Sequence, residues 1–428
     1  MAINLGLSRI QQLLNYLGNP HLRLCVIHIA GTNGKGSVSA YLDSILVHGG
    51  LKTGRFNSPH LITLRDSIQL SGEVVHETIF SPVFQHIHDA NLASKANATP
   101  FELLTATAFT IFAETIPPVD VAIIEVGMGG RDDATNVVPQ PLLTLFTSID
   151  LDHKEFLGDT VEDIALVKAG IIKERRPCIV APQKSTTVTR VLREVATKRN
   201  APFFLVSKAI MGEDGKALFH FGLQTIAAEL PLQGDHQLEN SSLAVTAVSV
   251  LNNILRRTQT DCVPLKTIAS GLEATQWPGR LDWVSYSYHG NLIPILVDGA
   301  HNSASSAVLC DYLTSLQPVD TTFFIVALTN TKRPSDILRT LVGDNRSAST
   351  IIATRFSCPV EGMPWVSPLD TSIIEKAAIE LGLSTTSSLN LEEALDLVMP
   401  QFANQHTRIV VAGSLYLVAD LYRSLGRQ

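Results

Sequence analysis

The chain has 428 residues, more than one hydrophobic core usually fills, so two domains are expected. Hydrophobic residues at 45% and charged residues at 17% exclude a largely disordered chain. A formal net charge of −7 without a long Lys/Arg run argues against a nucleic-acid partner and against a polybasic membrane patch.

The stretch from Met1 to Arg9 has no charged segment followed by an apolar one, and no apolar run approaches the roughly 18 residues of a membrane span. The five cysteines, Cys25, Cys178, Cys262, Cys310 and Cys358, form no Cys-x-x-Cys pair, which indicates neither a zinc site nor a disulfide framework. A soluble, cytoplasmic, monomeric protein acting on small molecules is expected. A mitochondrial fraction is the alternative, and against it stands the lack of an Arg-rich, Ser-rich presequence.

Short apolar runs predict strands at 24–29, 121–126, 142–148 and 178–181, then at 293–297, 323–327, 350–354 and 408–412. Helical spacing begins at Ser37, returns over 102–112 through Leu103, Thr107 and Ile111, and marks 185–200 as an amphipathic helix. Residues 207–231 suggest a small β excursion. Alternation of this kind predicts an α/β fold with mainly parallel sheets in both halves. Pro and Gly in Gln276-Trp277-Pro278-Gly279-Arg280-Leu281-Asp282 predict a hinge, which gives domains 1–282 and 283–428.

The first strand runs into Ala30-Gly31-Thr32-Asn33-Gly34-Lys35-Gly36-Ser37 and then a helix, the context of a phosphate-binding loop. Small residues let backbone N–H groups approach phosphate oxygens, and the helix start adds partial positive charge. Lys35 is placed to neutralise the β- and γ-phosphates and Ser37 to face a metal. The competing reading, a glycine-rich turn, gives Lys35 and Ser37 no packing reason to be there. Glu125, closing the run Val121-Ala122-Ile123-Ile124, puts a carboxylate at the C-terminal end of a buried strand, where it can hold Mg²⁺. Taken singly, His153 reads as a hydrogen-bonded structural histidine and Lys168 as solvated surface.

Together with Ser58-Pro59-His60-Leu61, Phe101-Glu102, Gly127-Met128-Gly129-Gly130-Arg131, Asp133-Ala134-Thr135-Asn136, Asp152-His153, Lys168-Ala169-Gly170, Gln237, Asn240, Trp277-Pro278-Gly279-Arg280, Asp298-Gly299-Ala300-His301-Asn302 and Gly413-Ser414-Leu415-Tyr416, these motifs span nearly the whole chain. In order and spacing the chain resembles the dihydrofolate synthase and folylpolyglutamate synthase family of the Mur ligase superfamily. The resemblance implies an N-terminal P-loop ATPase domain, a smaller Rossmann-like C-terminal domain, and ATP bound between them. It implies that Gly34, Lys35, Gly36 and Ser37 cradle the triphosphate, and that Asn240, Arg280 and Asp298 also contact the nucleotide. Ser58, Glu125 and His153 would ligate Mg²⁺ at two sites, with a carbamoylated Lys168 supplying an anionic oxygen to the second. Thr99, Phe101 and Asp133 would line a pterin pocket, an aromatic face stacking on the ring and a carboxylate accepting its N–H groups.

The same resemblance implies ATP-dependent ligation of L-glutamate to 7,8-dihydropteroate through an acyl phosphate, giving dihydrofolate, ADP and phosphate. Arg280 and Lys332 would stabilise charge as the domains close and exclude water. Folylpolyglutamate synthase, acting on a folate, is the rival, with a bifunctional enzyme between the two. A catalytically silent ATP-binding scaffold is disfavoured, since Lys35, Glu125 and His153 are all present. Arg65-Asp66-Ser67-Ile68 has the form associated with fungal-type dihydrofolate synthases. Thr331-Lys332-Arg333 and Ser303 depart from the family's usual Asp-Lys-Asp and Pro, which bears on C-terminal contacts.

Overall fold

Val26-Ile27-His28-Ile29-Ala30 is buried at every position, as a strand covered by helices on both faces must be. It lies at the centre of a sheet in a computed structural model that describes residues 5–221, 224–257, 263–330, 332–403 and 406–426. Cys262 and Thr331 lie outside the described residues. The strands of this sheet are β1 (Val26–Ala30), β2 (Thr53–Phe56), β3 (Ile68–Leu70), β4 (Glu73–Val74), β5 (Val121–Glu125), β6 (Leu143–Phe146), β7 (Cys178–Val180) and β8 (Phe203–Leu205). Their order is β4-β3-β2-β5-β1-β6-β7-β8. Pairing is parallel from β2 through to β8 and antiparallel only at β2–β3 and β3–β4.

Because β1, β2, β5 and β6 run the same way, the segments after them all leave from one edge of the sheet. Ile29 stands opposite Glu125, and Ala30 opposite Phe146. Chain order reverses at this edge, where open α/β sheets place ligand chemistry. The strands expected at 121–126, 142–148 and 178–181 are present, shorter by a residue or more. β2 carries Gly54 and Arg55 in place of an apolar run, so nothing in its composition marked it as a strand.

The amphipathic segment at 185–200 forms the helix Thr186–Lys198, which buries Val188, Val191, Leu192 and Ala196. The excursion at 207–231 is an antiparallel sheet of β9 (Ile210–Met211), β10 (Ala217–Phe221) and β11 (Gln224–Ala228).

The chain divides into two compact units: Met1–His60, Leu64–Pro231 and His236–Gln276 form the first, and Leu61–Thr63, Leu232–Asp235 and Trp277–Gln428 the second. The second unit holds β12 (Asp282–Tyr288), β13 (Asn291–Val297), β14 (Thr321–Val326), β15 (Ser349–Ala353), β16 (Ser384–Ser387) and β17 (Thr407–Ala412), ordered β12-β13-β17-β14-β15-β16. Only β12–β13 is antiparallel. Apolar clusters cover both faces: Ile325, Ile409 and Val411 point into one, Phe324, Val326 and Val410 into the other. Among the described residues no helix is long and apolar enough to cross a membrane.

Candidate active site

After β1 the chain turns through Gly31-Thr32-Asn33-Gly34 into the helix Lys35–His48. Gly34 sits at the N-cap with φ +91°, and a Cβ there would stand 2.5 Å from Asn240 Oδ1. Thr32 pins the loop: its Oγ1 donates to Asp150 O and accepts from Asp150 N, both at 3.0 Å. Thr32 N and Asn33 N donate to Ser148 O at 2.8 and 3.2 Å. Among the described residues no side chain caps the helix, so its leading N–H groups and positive dipole end are left for an anion. Ser37 in the first turn is buried, its Oγ 3.5 Å from Gln237 Nε2, and Gln237 Oε1 accepts from Asn240 Nδ2 at 3.0 Å.

The helix presents Lys35, Ser39 and Asp43 to the sheet, spaced to share one side. Thr53, Arg55 and Asn57, along β2 and just beyond it, answer from one face of the strand. Thr53 Oγ1 donates to Asp43, and Arg55 Nε lies 3.6 Å from Asp43 Oδ2. Asn57 Nδ2 donates to Ser39 Oγ at 2.7 Å and to Glu125 Oε2 at 2.7 Å. Lys35 Nζ is 3.6 Å from the other carboxylate oxygen, Oε1. Burying so many polar groups between helix and sheet is tolerable only because they satisfy one another. The structure thus brings Lys35 and Glu125 together. Asn57 escaped the sequence reading; the signal that could have found it is the polar series Thr53, Arg55, Asn57 at strand period. Ser58 follows Asn57 with its side chain half-buried.

Lys168 is buried, not solvated surface. Its Nζ donates to Gly31 O at 2.8 Å. The cause is a reciprocal glycine contact: a Cβ on Gly130 would lie 2.9 Å from Lys168 Cα, and one on Gly170 would lie 2.5 Å from Arg131 Cα. The loop after β5 and the end of the helix Val161–Lys168 can approach this closely only without side chains. Burial and the charge of Lys35 push the Lys168 amine down to about 7, with Asp152, Asp133 and Glu125 opposing.

His153 starts a short helix at φ +50° with its side chain 45% exposed, and Nε2 is 3.9 Å from Asp152 Oδ2. Among the described residues no three His, Cys, Asp or Glu side chains converge on one cation position. Mg²⁺ needs no such cluster when nucleotide phosphates and water complete its shell. The Glu125 carboxylate and the Ser37 and Ser58 hydroxyls are hard oxygen donors that suit it.

Of the residues expected at the pterin, Thr99 is the N-cap of the helix Pro100–Glu114 and forms a capping box with Glu102. Phe101 packs over Gly127, where a Cβ would be 2.5 Å from Phe101 Cζ, with the Phe56 ring 6.0 Å away. Asp133 is buried and accepts from Met128 N at 2.8 Å, Thr135 N at 3.0 Å and Thr135 Oγ1 at 2.5 Å. Most of its acceptor capacity is therefore spent on its own loop. Thr135 Oγ1 also lies 2.8 Å from His28 Nε2. The hydroxyl proton goes to Asp133, so His28 donates from Nε2.

Residues 29–248 match the Mur ligase middle domain, and residues 282–424 match the C-terminal domain of dihydrofolate synthetase. Over 435 aligned residues the chain is 38% identical to a probable dihydrofolate synthetase of Schizosaccharomyces pombe, covering 99% of each chain. The chain belongs to the dihydrofolate synthase and folylpolyglutamate synthase family of Mur ligases. A dihydrofolate synthetase of Saccharomyces cerevisiae is 35% identical, with 99% of this chain and 98% of that one covered. Among solved structures, a folylpolyglutamate synthase of Mycobacterium tuberculosis complexed with ADP and AMPPCP superposes with a TM-score of 0.84 at 28% identity, covering 99% of this chain and 96% of that one.

In this Mur ligase the C-terminal unit holds Arg280 and Asp298 side by side. Asp298 Oδ2 accepts from Leu281 N at 2.8 Å, and a Cβ on Gly299 would lie 2.4 Å from an Arg280 guanidinium nitrogen. Burial raises the Asp298 carboxyl, while the Arg280 charge and backbone donors pull it back. Ser303, where the family usually has Pro, is the first residue of the helix Ser303–Ser315, capped by Asn302. Pro fits that position because the N–H it lacks is unpaired there, so the departure alters no helix bond. Lys332 is half-buried, its N donating to Thr329 O at 3.0 Å.

Proposed function

We propose that the protein is a dihydrofolate synthase, joining L-glutamate to 7,8-dihydropteroate at the expense of ATP. The observation that carries this reading is the Lys35–Glu125 pair, 3.6 Å apart at the start of an uncapped helix. It offers cationic and N–H groups for phosphate beside a hard oxygen donor. The end-to-end likeness to dihydrofolate synthetases supports dihydropteroate as the acceptor.

A free carboxylate resists amine attack because oxide would have to leave. The dihydropteroate carboxylate oxygen therefore first takes the γ-phosphoryl group, breaking the bond to ADP and forming an acyl phosphate. Gly34 to Ser37 hold the phosphates in line and Lys35 compensates charge on the transferring group. Bound with the nucleotide, Mg²⁺ would add Lewis acidity and charge neutralisation, held by Ser58, Glu125 and His153. The glutamate amine then attacks the acyl carbon, the tetrahedral intermediate expels phosphate, and the amine loses its proton.

Lys168, pushed down to about 7, has a substantial neutral fraction near neutral pH and is suited to carbamoylation, which converts an amine into a carbamate oxygen donor. Two Mg²⁺ sites follow from that assignment. Phe101 is the ring-stacking candidate for the pterin, with Thr99 and Asp133 fixing the backbone around it. Asn240, Arg280 and Asp298 are assigned to the nucleotide. We place the boundary between the ATPase domain and the C-terminal domain in the hinge 276–282. A cytoplasmic monomer suits the free thiols Cys25, Cys178, Cys310 and Cys358.

The test offers purified protein ATP, Mg²⁺ and glutamate with dihydropteroate or tetrahydrofolate in parallel, measuring phosphate and products. Dihydrofolate and stoichiometric phosphate from dihydropteroate are expected. Equal use of tetrahydrofolate with di- and triglutamate products would move the assignment to folylpolyglutamate synthase, and no turnover with either would sink it.

A further inference from the structure

The Asn57 amide nitrogen has two protons, and both are committed: one to Glu125 Oε2, one to Ser39 Oγ, each at 2.7 Å. Ser39 passes the constraint on, its Oγ donating to Gly36 O at 2.8 Å in the phosphate loop. Asn57 is itself fixed, buried to 4% exposure, with its backbone N donating to Ser67 O at 2.9 Å. The amide therefore ties the carboxylate at the end of β5 to the first turns of the helix Lys35–His48. Its bond is to Oε2, while Oε1 is the oxygen on the Lys35 side, 3.6 Å from the Lys35 Nζ.

We infer that Asn57 is a positioning residue, which selects the carboxylate oxygen that Glu125 offers to the nucleotide-bound divalent cation and fixes its distance from the loop. The inference rests on reading Glu125 as the cation-facing acid. Only a primary amide of this length supplies two donors here. Aspartate has the same shape and no donor, and serine has at most one. Groups that orient a metal-binding side chain commonly change metal affinity about 10–100-fold when removed.

The experiment measures Mn²⁺ binding by electron paramagnetic resonance to full-length protein saturated with ADP, and ADP binding alone in EDTA. For Asn57→Asp the Mn²⁺ dissociation constant should rise about tenfold and kcat should fall with it. ADP affinity in EDTA and the KM for dihydropteroate should stay within about twofold of wild type, since neither depends on the orientation of Glu125. Asn57→Ser should show a smaller rise, and it carries the test alone if the aspartate variant does not fold.

Wild-type Mn²⁺ affinity in both variants would overturn the inference. So would a loss of ADP affinity in EDTA equal to the loss for Mn²⁺, which would mark Asn57 as general packing. Glu125→Gln separates the two levels: if it binds Mn²⁺ as wild type does, the reading of Glu125 fails. If it loses Mn²⁺ while the Asn57 variants keep it, only the role of Asn57 falls.

Discussion

Glu125 and Lys168 approach the phosphate loop from different elements, and each can be removed without touching the other. Glu125→Ala takes away the carboxylate beside Lys35 where charge moves during phosphoryl transfer. Ligation should fall by about 10²-fold or more, read as phosphate release with dihydropteroate and glutamate. Wild-type turnover would refute the assignment. Lys168→Ala should be nearly inactive and partly rescued by short carboxylic acids such as acetate, which can enter the vacated volume and restore an anionic oxygen. Full activity without added acid would return Lys168 to a structural role, holding Gly31 O. The sequence by itself marked Lys168 as surface, because no local pattern reports the close approach of Gly130 to Lys168 and of Gly170 to Arg131. Only the motif resemblance singled it out.

β1 shows how far an element can be read from composition and where that reading stops. Its apolar run, and those of β5 and β6, were legible because strands buried on both faces are apolar nearly throughout. β2 was not, since Arg55 and its neighbours are polar toward the helix Lys35–His48, a pairing that exists only once the two elements meet. The same limit hid His28, fully buried in β1, where burial, aided by the charge of Lys173, pushes its imidazole down to about 3. Between that value and the ordinary 6.5 the unfolded chain binds a proton that the native chain does not. Unfolding free energy therefore falls as pH drops through 6.5 toward 3 and carries no such penalty above 6.5. His28→Gln keeps a donor toward Thr135 and cannot take up the proton. Urea unfolding at pH 7.5 and pH 5 should show a wild-type loss between the two that exceeds the variant's by about 2 kcal/mol. Equal losses would show that His28 takes up its proton in the fold as readily as in the unfolded chain.

Over the whole molecule the open choice was the acceptor, since both reactions of the family share the phosphate loop and the acyl phosphate. Dihydropteroate carries its carboxylate close to the ring system, whereas a folate presents a γ-carboxylate several bonds further out. With the pterin held at Phe101, one length alone brings its carboxylate to the roughly 3–3.5 Å near-attack distance of the γ-phosphate. At least a tenfold preference for dihydropteroate in kcat/KM is expected, about 1.4 kcal/mol of transition-state binding. Equal specificity constants in steady-state assays would remove it. Both α/β layers were legible from alternating patterns; the way the chain is shared between the units was not, because the short segments Leu61–Thr63 and Leu232–Asp235 carry no signal of their own.

That sharing has a consequence during synthesis. Leu61 and Ile62 pack with a core that includes Leu417, Val418 and Tyr422, and Ile62 O accepts from Arg423 at 2.9 Å. These early residues leave the ribosome long before their partners exist, so the C-terminal unit is finished only with the last helix, Leu415–Ser424. A nascent chain halted before that helix should be cut by protease at 61–64, and the released full-length chain should resist.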